Sequence, residues 1–403
     1  MLIDRIIYEK FFDKYFYIIT FLSYFFLIII YRFLLPFGDE PDFHIRASSV
    51  VNGLQEWWTP IDFIRLSFLY DFFSRDLNYL SKCNITYDPF SIFTKINNFL
   101  CSDTLLNNIS RIVLSLTHMI FFLMILFIIN QIKFLKINNN GESRTLLLSI
   151  LVPSIIYYFN LLSHESFFYI LSFFIFIFRK NFFVLIFLLL IFFYIDFGNS
   201  IAIFIFFSLY LLFNILIKFI PFKFINIIFF FLLIISIFAT ELIIDLIMNY
   251  NIFLNDQIYQ FIQSTIKHNF ENPFRDKYPL ILRPILTYMN FLFLTPGYIK
   301  ILPFYLLASL FLIYIFYKTL LIIFLSEDQN VIESTKMVTI SIFTILFLTL
   351  NLPALTNAKY FIFLLPFFIN HIKIITNNNL KFFYYLMLSN FLVTSNLLIY
   401  RII

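Results

Sequence analysis

Charged residues and glycines are both scarce in this chain of 403 residues. Charged side chains make up 13% of it, against roughly 25% in soluble domains, and only 5 residues are glycine. Hydrophobic residues reach 61%, and apolar runs recur from end to end at about 20 residues, the length that crosses a bilayer. The composition therefore excludes a soluble enzyme, a disordered chain and a nucleic-acid-binding protein.

The apolar runs predict an all-α fold, a polytopic transmembrane helical bundle of about eleven helices. The segments 166–178 and 182–195 are short for a hydrocarbon core about 30 Å thick, so we expect between about ten and twelve spans. Residues 1–403 would then form a single integral membrane domain. The other predicted helices are 15–37, 111–132, 145–162, 200–217, 224–248, 303–325, 337–352, 360–372 and 382–400.

Lysine and arginine in the short loops predict which ends face the cytoplasm, because these residues collect on the inner side. An N-terminus in the cytoplasm, with Arg5, Lys10 and Lys14, places most of the other basic turns inside as well. Two long loops, 38–110 and 249–302, then lie outside. The basic residues of the inner turns are Lys133, Lys136, Arg144, Arg179, Lys180, Lys218, Lys223, Lys318, Lys336, Lys373 and Lys381.

The first outer loop holds both cysteines, Cys83 and Cys101. In an oxidising compartment they form a disulfide; otherwise they are two free thiols, and the sequence leaves both alternatives open. Trp57 and Trp58 are typical of an aromatic anchor at the membrane interface. Residues 61–80 carry apolar and charged positions that predict a helix on the membrane surface, although a small helix packed within the loop fits the same pattern.

An acidic motif follows the first predicted helix. Asp39, Glu40 and Asp42 stand there with His44 and Arg46. A carboxylate that is partly desolvated and close to other carboxylates has a raised pKa, and it can then act as a general base on a sugar hydroxyl. The simpler alternative is a solvated loop start that marks the edge of the bilayer.

Further polar clusters interrupt the apolar runs, and the Lys/Arg orientation places all of them on the same outer face. Each has a simpler interpretation as an ordinary turn or a solvated loop. A transporter would instead carry polar residues near mid-membrane, where this sequence has almost no charges. No spaced ligand motif supports a metal, and no cofactor is expected. The clusters are His164 with Glu165, Asp196 with Asn199, Glu241 with Asp245, the group Arg275, Lys277 and Arg283, and Lys359.

Two of these motifs resemble the GT-C class of membrane glycosyltransferases: Asp39-Glu40 after the first helix, and Asn357-Ala358-Lys359-Tyr360-Phe361 at the start of a late helix. Within that group, size and loop layout are most similar to bacterial O-antigen (Wzy-type) and related exopolysaccharide polymerases. The resemblance implies a multi-pass protein of the bacterial inner (cytoplasmic) membrane, acting at its outer face in polysaccharide biosynthesis. It implies a polyprenyl-pyrophosphate-linked oligosaccharide as substrate, contact with membrane lipid and a chain-length regulator as a protein partner.

The resemblance also assigns roles to the clusters. Asp39 or Glu40, with Asp42 beside them, would supply the general base on the acceptor hydroxyl, a contribution of about 10²–10⁴-fold. His164 and Glu165 would orient the sugar. Basic side chains would hold the pyrophosphate leaving group, since arginine and lysine suit phosphate. The substrate-binding set is His44, Arg46, Asp196, Arg275, Lys277, Arg283 and Lys359.

Three alternatives remain open at the level of sequence. The first is an enzyme of the same class that transfers a single sugar from a polyprenyl monophosphate. The second is a polysaccharide flippase or exporter with no covalent chemistry, which would need a charged central cavity and pseudo-symmetric halves. The third is a structural membrane subunit whose outer loops bind a partner. No glycine-rich phosphate-binding motif occurs in the chain, which argues against ATP-driven transport.

Overall fold

The computed structural model describes most of the chain outside the two predicted long loops. Continuous stretches cover 2–34, 147–160, 165–179, 181–195, 197–250, 329–351, 358–376 and 378–402. Residue 144 and scattered helical positions within 112–124, 283–288 and 310–321 are also described. Every regular element in these ranges is a helix and none is a strand, so the all-helical class is confirmed for this part of the chain.

We number the α-helices of the described residues in chain order. Two 3₁₀ helices accompany them, at Ser149–Leu151 and Ala358–Leu364. The α-helices are α1 Leu2–Lys14, α2 Phe16–Leu34, α3 Pro153–Phe159, α4 Glu165–Phe178, α5 Phe182–Ile195, α6 Phe197–Leu216, α7 Phe222–Tyr250, α8 Gln329–Asn351, α9 Leu365–Thr376 and α10 Asn379–Ile402.

Several predicted boundaries are wrong. The helix predicted at 337–352 begins much earlier, at Gln329. The segment 145–162 is broken, because Pro153 has no N–H and starts a new helix after an extended Val152. The segment 360–372 begins as the 3₁₀ helix Ala358–Leu364 before it becomes α9. Short tight helices of this kind are common at helix ends and breaks.

Three of the described helices are long and apolar enough to cross a membrane: Asn199–Leu216, Ile332–Asn351 and Lys359–Thr376. The bent pair Tyr8–Lys14 and Phe16–Arg32, which turns by 82°, makes a fourth if it is one span. These helices support a membrane protein. The count of about eleven spans stays a prediction, and so does the orientation.

The chain divides into two compact units, which we describe separately. The first consists of Met1–Ile170 and Phe383–Ile403. In it, α2 packs against α3 and the preceding 3₁₀ helix. Asn390 accepts a 2.7 Å hydrogen bond from the Tyr31 hydroxyl and donates one of 2.7 Å to the Leu151 carbonyl. Because the break before Pro153 interrupts the helical ladder, a side chain satisfies this carbonyl, as apolar surroundings require.

The second unit is Leu171–Phe382, with α8 at its centre. This helix packs against α6, α7 and α9. Its buried hydroxyls bond to carbonyls one turn back: Thr339 to Thr335, Ser341 to Met337 and Thr344 to Ile340, each at 2.8 Å. Small residues whose hydroxyls are satisfied within their own helix allow close helix packing in an apolar environment. These three hydroxyls are therefore buried in α8 with their donors satisfied.

Candidate functional site

Most of the predicted site residues lie outside the described residues. The ones inside them are Glu165, Arg283 and Lys359. Glu165 is the first residue of α4, in the first unit, whereas Arg283 and Lys359 belong to the second. The predicted residues that lie outside are Asp39, Glu40, Asp42, His44, Arg46, His164, Asp196, Arg275 and Lys277.

Arg283 and Lys359 both lie in segments next to α9: one packs against that helix, and the other leads into it. Lys359 is the second residue of the 3₁₀ helix that leads into α9, and its ammonium lies 5.2 Å from the centre of the Tyr360 ring. Arg283 is half-buried in a helical stretch, and the Tyr288 ring of that stretch packs at 5.2 Å on Phe368 of α9. Pro284 beside Arg283 is buried. A packed helical stretch of this kind is not a solvated connector.

A buried lysine lies where α6 and α8 meet. Lys336 is only 6% exposed, and its ammonium donates to Oδ1 of Asn214 at 2.5 Å. Oε2 of Glu333, one turn back on α8, lies 3.4 Å from the same ammonium. The ammonium is also 5.0 Å from the centre of the Tyr210 ring. We call Lys336, Glu333, Asn214 and Tyr210 the lysine cluster. The amide oxygen, the carboxylate and the aromatic ring together compensate the buried positive charge of Lys336.

Next to this cluster, a cavity of about 290 Å³ runs between α5 and α6. Tyr210 and Asn214 line it together with Arg179, which precedes α5. The Arg179 guanidinium donates at 2.7 Å to the Phe176 carbonyl and lies 4.7 Å from the Phe176 ring centre. The rest of the lining is apolar apart from Ser208. We call this cavity the α5–α6 groove.

A buried histidine forms a second cluster on the same central helix. His371 of α9 has no exposed surface, and both ring nitrogens meet hydroxyls. Oγ of Ser334 lies 3.1 Å from Nδ1, and Oγ1 of Thr319 lies 2.9 Å from Nε2. A neutral imidazole has one donor and one acceptor, so these two contacts match its capacity. Through Ser334 the histidine ties α9 to α8.

A third polar contact joins the C-terminal end of α8 to α7. Thr240 donates to Oδ1 of Asn351 at 3.0 Å, and Nδ2 of Asn351 donates to Ser236 at 3.0 Å. Glu241, which follows Thr240, and Asp245 both belong to α7. Their spacing of four residues places them on one face of that helix, as predicted.

Sequence reasoning predicted neither the lysine cluster nor the histidine cluster. For the lysine cluster the reason can be identified. Lys336 was assigned to a cytoplasmic turn, because the helix after it was expected to start at 337. Because α8 begins at Gln329, Glu333 and Lys336 both lie in its first turns and not in the turn before it. The sequence does contain a signal for this ion pair: Glu333 and Lys336 are three residues apart, the spacing of oppositely charged residues on one helix face.

Among the described residues, no group of three or more His, Cys, Asp or Glu side chains is placed to hold a metal ion. No family model matches the chain, and no curated protein and no solved structure is similar to it.

Proposed function

We propose that this chain is an integral membrane glycosyltransferase that acts at the outer face of the bacterial inner membrane. Its substrates would be polyprenyl-pyrophosphate-linked sugars, and the favoured reaction is polymerisation of O-antigen or related repeat units. The single observation behind the proposal is the acidic motif. Helix α2 ends at Leu34, and Asp39, Glu40 and Asp42 follow closely after this apolar helix in the sequence. The predicted orientation would put them at the outer surface of the bilayer, where a membrane-held substrate meets water.

The proposed reaction needs a general base and a set of cations, and different parts of the chain would supply them. Asp39 or Glu40 takes the proton of the acceptor hydroxyl while that oxygen attacks the anomeric carbon of the donor sugar. The bond from that carbon to the pyrophosphate oxygen breaks, and cationic side chains stabilise the departing charge. Of the proposed cations, Arg283 lies on a stretch that packs against α9, and Lys359 lies on the 3₁₀ helix that leads into α9.

The test of the base is Asp39→Asn and Glu40→Gln, which keep size but remove the charge. At least one should abolish polymer growth, measured as the length distribution of the polysaccharide on a gel with expression matched. Glu56→Gln, in the same loop, is the control and should leave chain length unchanged. Wild-type chains from both acidic-motif variants would refute the assignment.

The test of the leaving-group site uses the basic residues. Arg275→Ala and Arg283→Ala should shorten the chains more than Lys267→Ala, which has no assigned role. Arg→Lys at the same positions should restore part of the loss, because lysine supplies a charge but not a bidentate contact. An unchanged length distribution in every variant would leave Lys359 as the next candidate for the pyrophosphate.

One observation favours a second candidate, a flippase or exporter. In the lysine cluster, Oε1 of Glu333 is buried and has no hydrogen-bond partner among the described residues. Ionisable groups inside membrane helices commonly mark ion or substrate pathways. Glu333→Gln separates the two candidates. A flippase would leave lipid-linked repeat units on the inner leaflet, whereas the proposed glycosyltransferase would make chains of normal length.

A further inference from the structure

The α5–α6 groove has an apolar wall and a polar end. Six apolar residues form the wall: Leu185, Ile186, Leu189, Phe204, Phe207 and Leu211. Several of them are exposed along the rim, as side chains that face lipid are. The volume of about 290 Å³ is at the lower limit of small-molecule sites, which span about 300–1,000 Å³. A single hydrocarbon chain suits such a space better than a sugar does.

The polar end of the groove is cationic. Arg179 lines it, and the Lys336 ammonium lies directly behind Asn214 and Tyr210. The Glu333 carboxylate, 3.4 Å from the Lys336 ammonium, offsets one of these two positive charges. The Arg179 guanidinium is held in place by its bond to the Phe176 carbonyl and its contact with the Phe176 ring. A guanidinium has five N–H donors, so one such bond leaves it able to bind phosphate oxygens.

The two ends of the groove therefore match the two parts of an anionic phospholipid. Helices α5 and α6 pack against each other as a hairpin, so the start of α5 and the end of α6 lie at the same end. Arg179 and Asn214 occupy that end, and Leu189 and Phe204 lie further along the hairpin. Anionic headgroups are attracted by about 1 kcal/mol for each Lys or Arg near the membrane surface.

We propose that the α5–α6 groove binds an anionic phospholipid, with one acyl chain along the apolar wall and the headgroup phosphate on Arg179. The predicted orientation places Arg179 at the cytoplasmic side, so the lipid would come from the inner leaflet. This site is separate from the glycosyltransferase reaction proposed above. Its occupancy is measured without any sugar substrate, so either proposal can fail without the other.

The experiment uses the full chain, purified in detergent with equal amounts of phosphatidylglycerol and phosphatidylcholine. Native mass spectrometry then counts the lipid molecules that stay bound. The wild type should retain phosphatidylglycerol in preference. Arg179→Ala should weaken its retention about tenfold, the effect of losing a charge-assisted hydrogen-bonded contact. Arg179→Lys should retain more lipid than Arg179→Ala, and Leu189→Trp should displace the chain while the charge stays.

Two control variants test the position of the site. Lys218→Ala removes an exposed cation just beyond α6 that does not line the groove, and Phe183→Trp enlarges a side chain that is 83% exposed outside the lining. Both should bind lipid as the wild type does. All variants must elute as the wild type does in size exclusion, which shows that they are folded. If Arg179→Ala fails this check, the lipid retention of Arg179→Lys and Leu189→Trp tests the proposal in its place. Wild-type retention by the groove variants, an equal loss in Lys218→Ala, or equal retention of both lipids would overturn the proposal.

Discussion

The lysine cluster allows a quantitative prediction about stability. Asn214→Leu removes the acceptor that lies 2.5 Å from the Lys336 ammonium, while the ammonium stays buried. A hydrogen bond to a charged group contributes about 1.5–3 kcal/mol, so the free energy of unfolding should fall by about that amount. Glu333 limits the loss, because its carboxylate remains 3.4 Å away on the same helix.

Lys336→Met should be far milder, although it removes a charge. The methionine keeps the hydrocarbon stem that packs near Tyr210 and Phe213, and the cost of burying the ammonium disappears. Replacing both members of a buried ion pair by apolar residues is often neutral or even stabilising, whereas removing one member leaves the other charge uncompensated. Glu333 limits this cost here, because 28% of its side chain is exposed and water can solvate part of the carboxylate. We therefore expect Lys336→Met to lower the free energy of unfolding less than Asn214→Leu does.

The double variant decides whether these two residues act together. Once Lys336→Met is present, Asn214→Leu should cost little, which gives a coupling energy of at least about 1 kcal/mol for residues in contact. The assay is unfolding of the purified protein by sodium dodecyl sulfate, followed by circular dichroism, with Phe183→Leu as an exposed control. Additive effects of the two substitutions would refute the reasoning, because the loss would then come from packing at position 214 and not from the buried ammonium.

Three further predictions use other contacts. Asn390→Leu should destabilise the protein more than Tyr31→Phe in the same unfolding assay, because the leucine cannot donate to the Leu151 carbonyl. Tyr31→Phe removes only the hydrogen bond to Asn390, which contributes about 0.6–1.7 kcal/mol between membrane helices. Equal losses in the two variants would contradict this prediction. His371→Phe should lower the unfolding midpoint and leave polymer length unchanged once expression is matched, and shortened chains would contradict its purely structural role. Single cysteines placed in 38–110 and 249–302, in a variant without the native cysteines, should react with an impermeant thiol reagent in cells lacking an outer barrier; labelling only after lysis would reverse the orientation.

The apolar runs were sufficient to predict the helical class and most helix positions. The predicted segments 166–178 and 182–195 coincide closely with α4 and α5, because strongly apolar runs with polar residues at both ends leave little choice of boundary. The start of α8 could not be found in this way. Its first turns contain Glu333, Ser334 and Lys336, a composition typical of a loop. Asn214 of α6 and His371 of α9 supply partners that make their burial tolerable.

The partners themselves are far apart in sequence, which is why sequence reasoning missed them. Asn214 and Lys336 meet across α6 and α8, and Tyr31 meets Asn390 from the opposite end of the chain. Nothing local to Asn214 or Asn390 distinguishes it from the many other asparagines of this chain. Spacing along one helix is readable from sequence, but a contact between helices depends on how those helices pack.

The compensation of two buried polar residues, His371 and Asn390, bears on the choice between enzyme and transporter. A transport pathway needs polar groups that exchange partners as the substrate passes, and these usually lie at broken helices near mid-membrane. His371 has hydroxyls at both ring nitrogens, and Asn390 bonds to Tyr31 and to the Leu151 carbonyl. Releasing either from its partners would leave a buried polar group unsatisfied, at about 1–3 kcal/mol each. These residues are therefore suited to holding helices in one arrangement. A fixed helical frame is what a glycosyltransferase needs if its reacting groups are to be presented from the loops at the membrane surface.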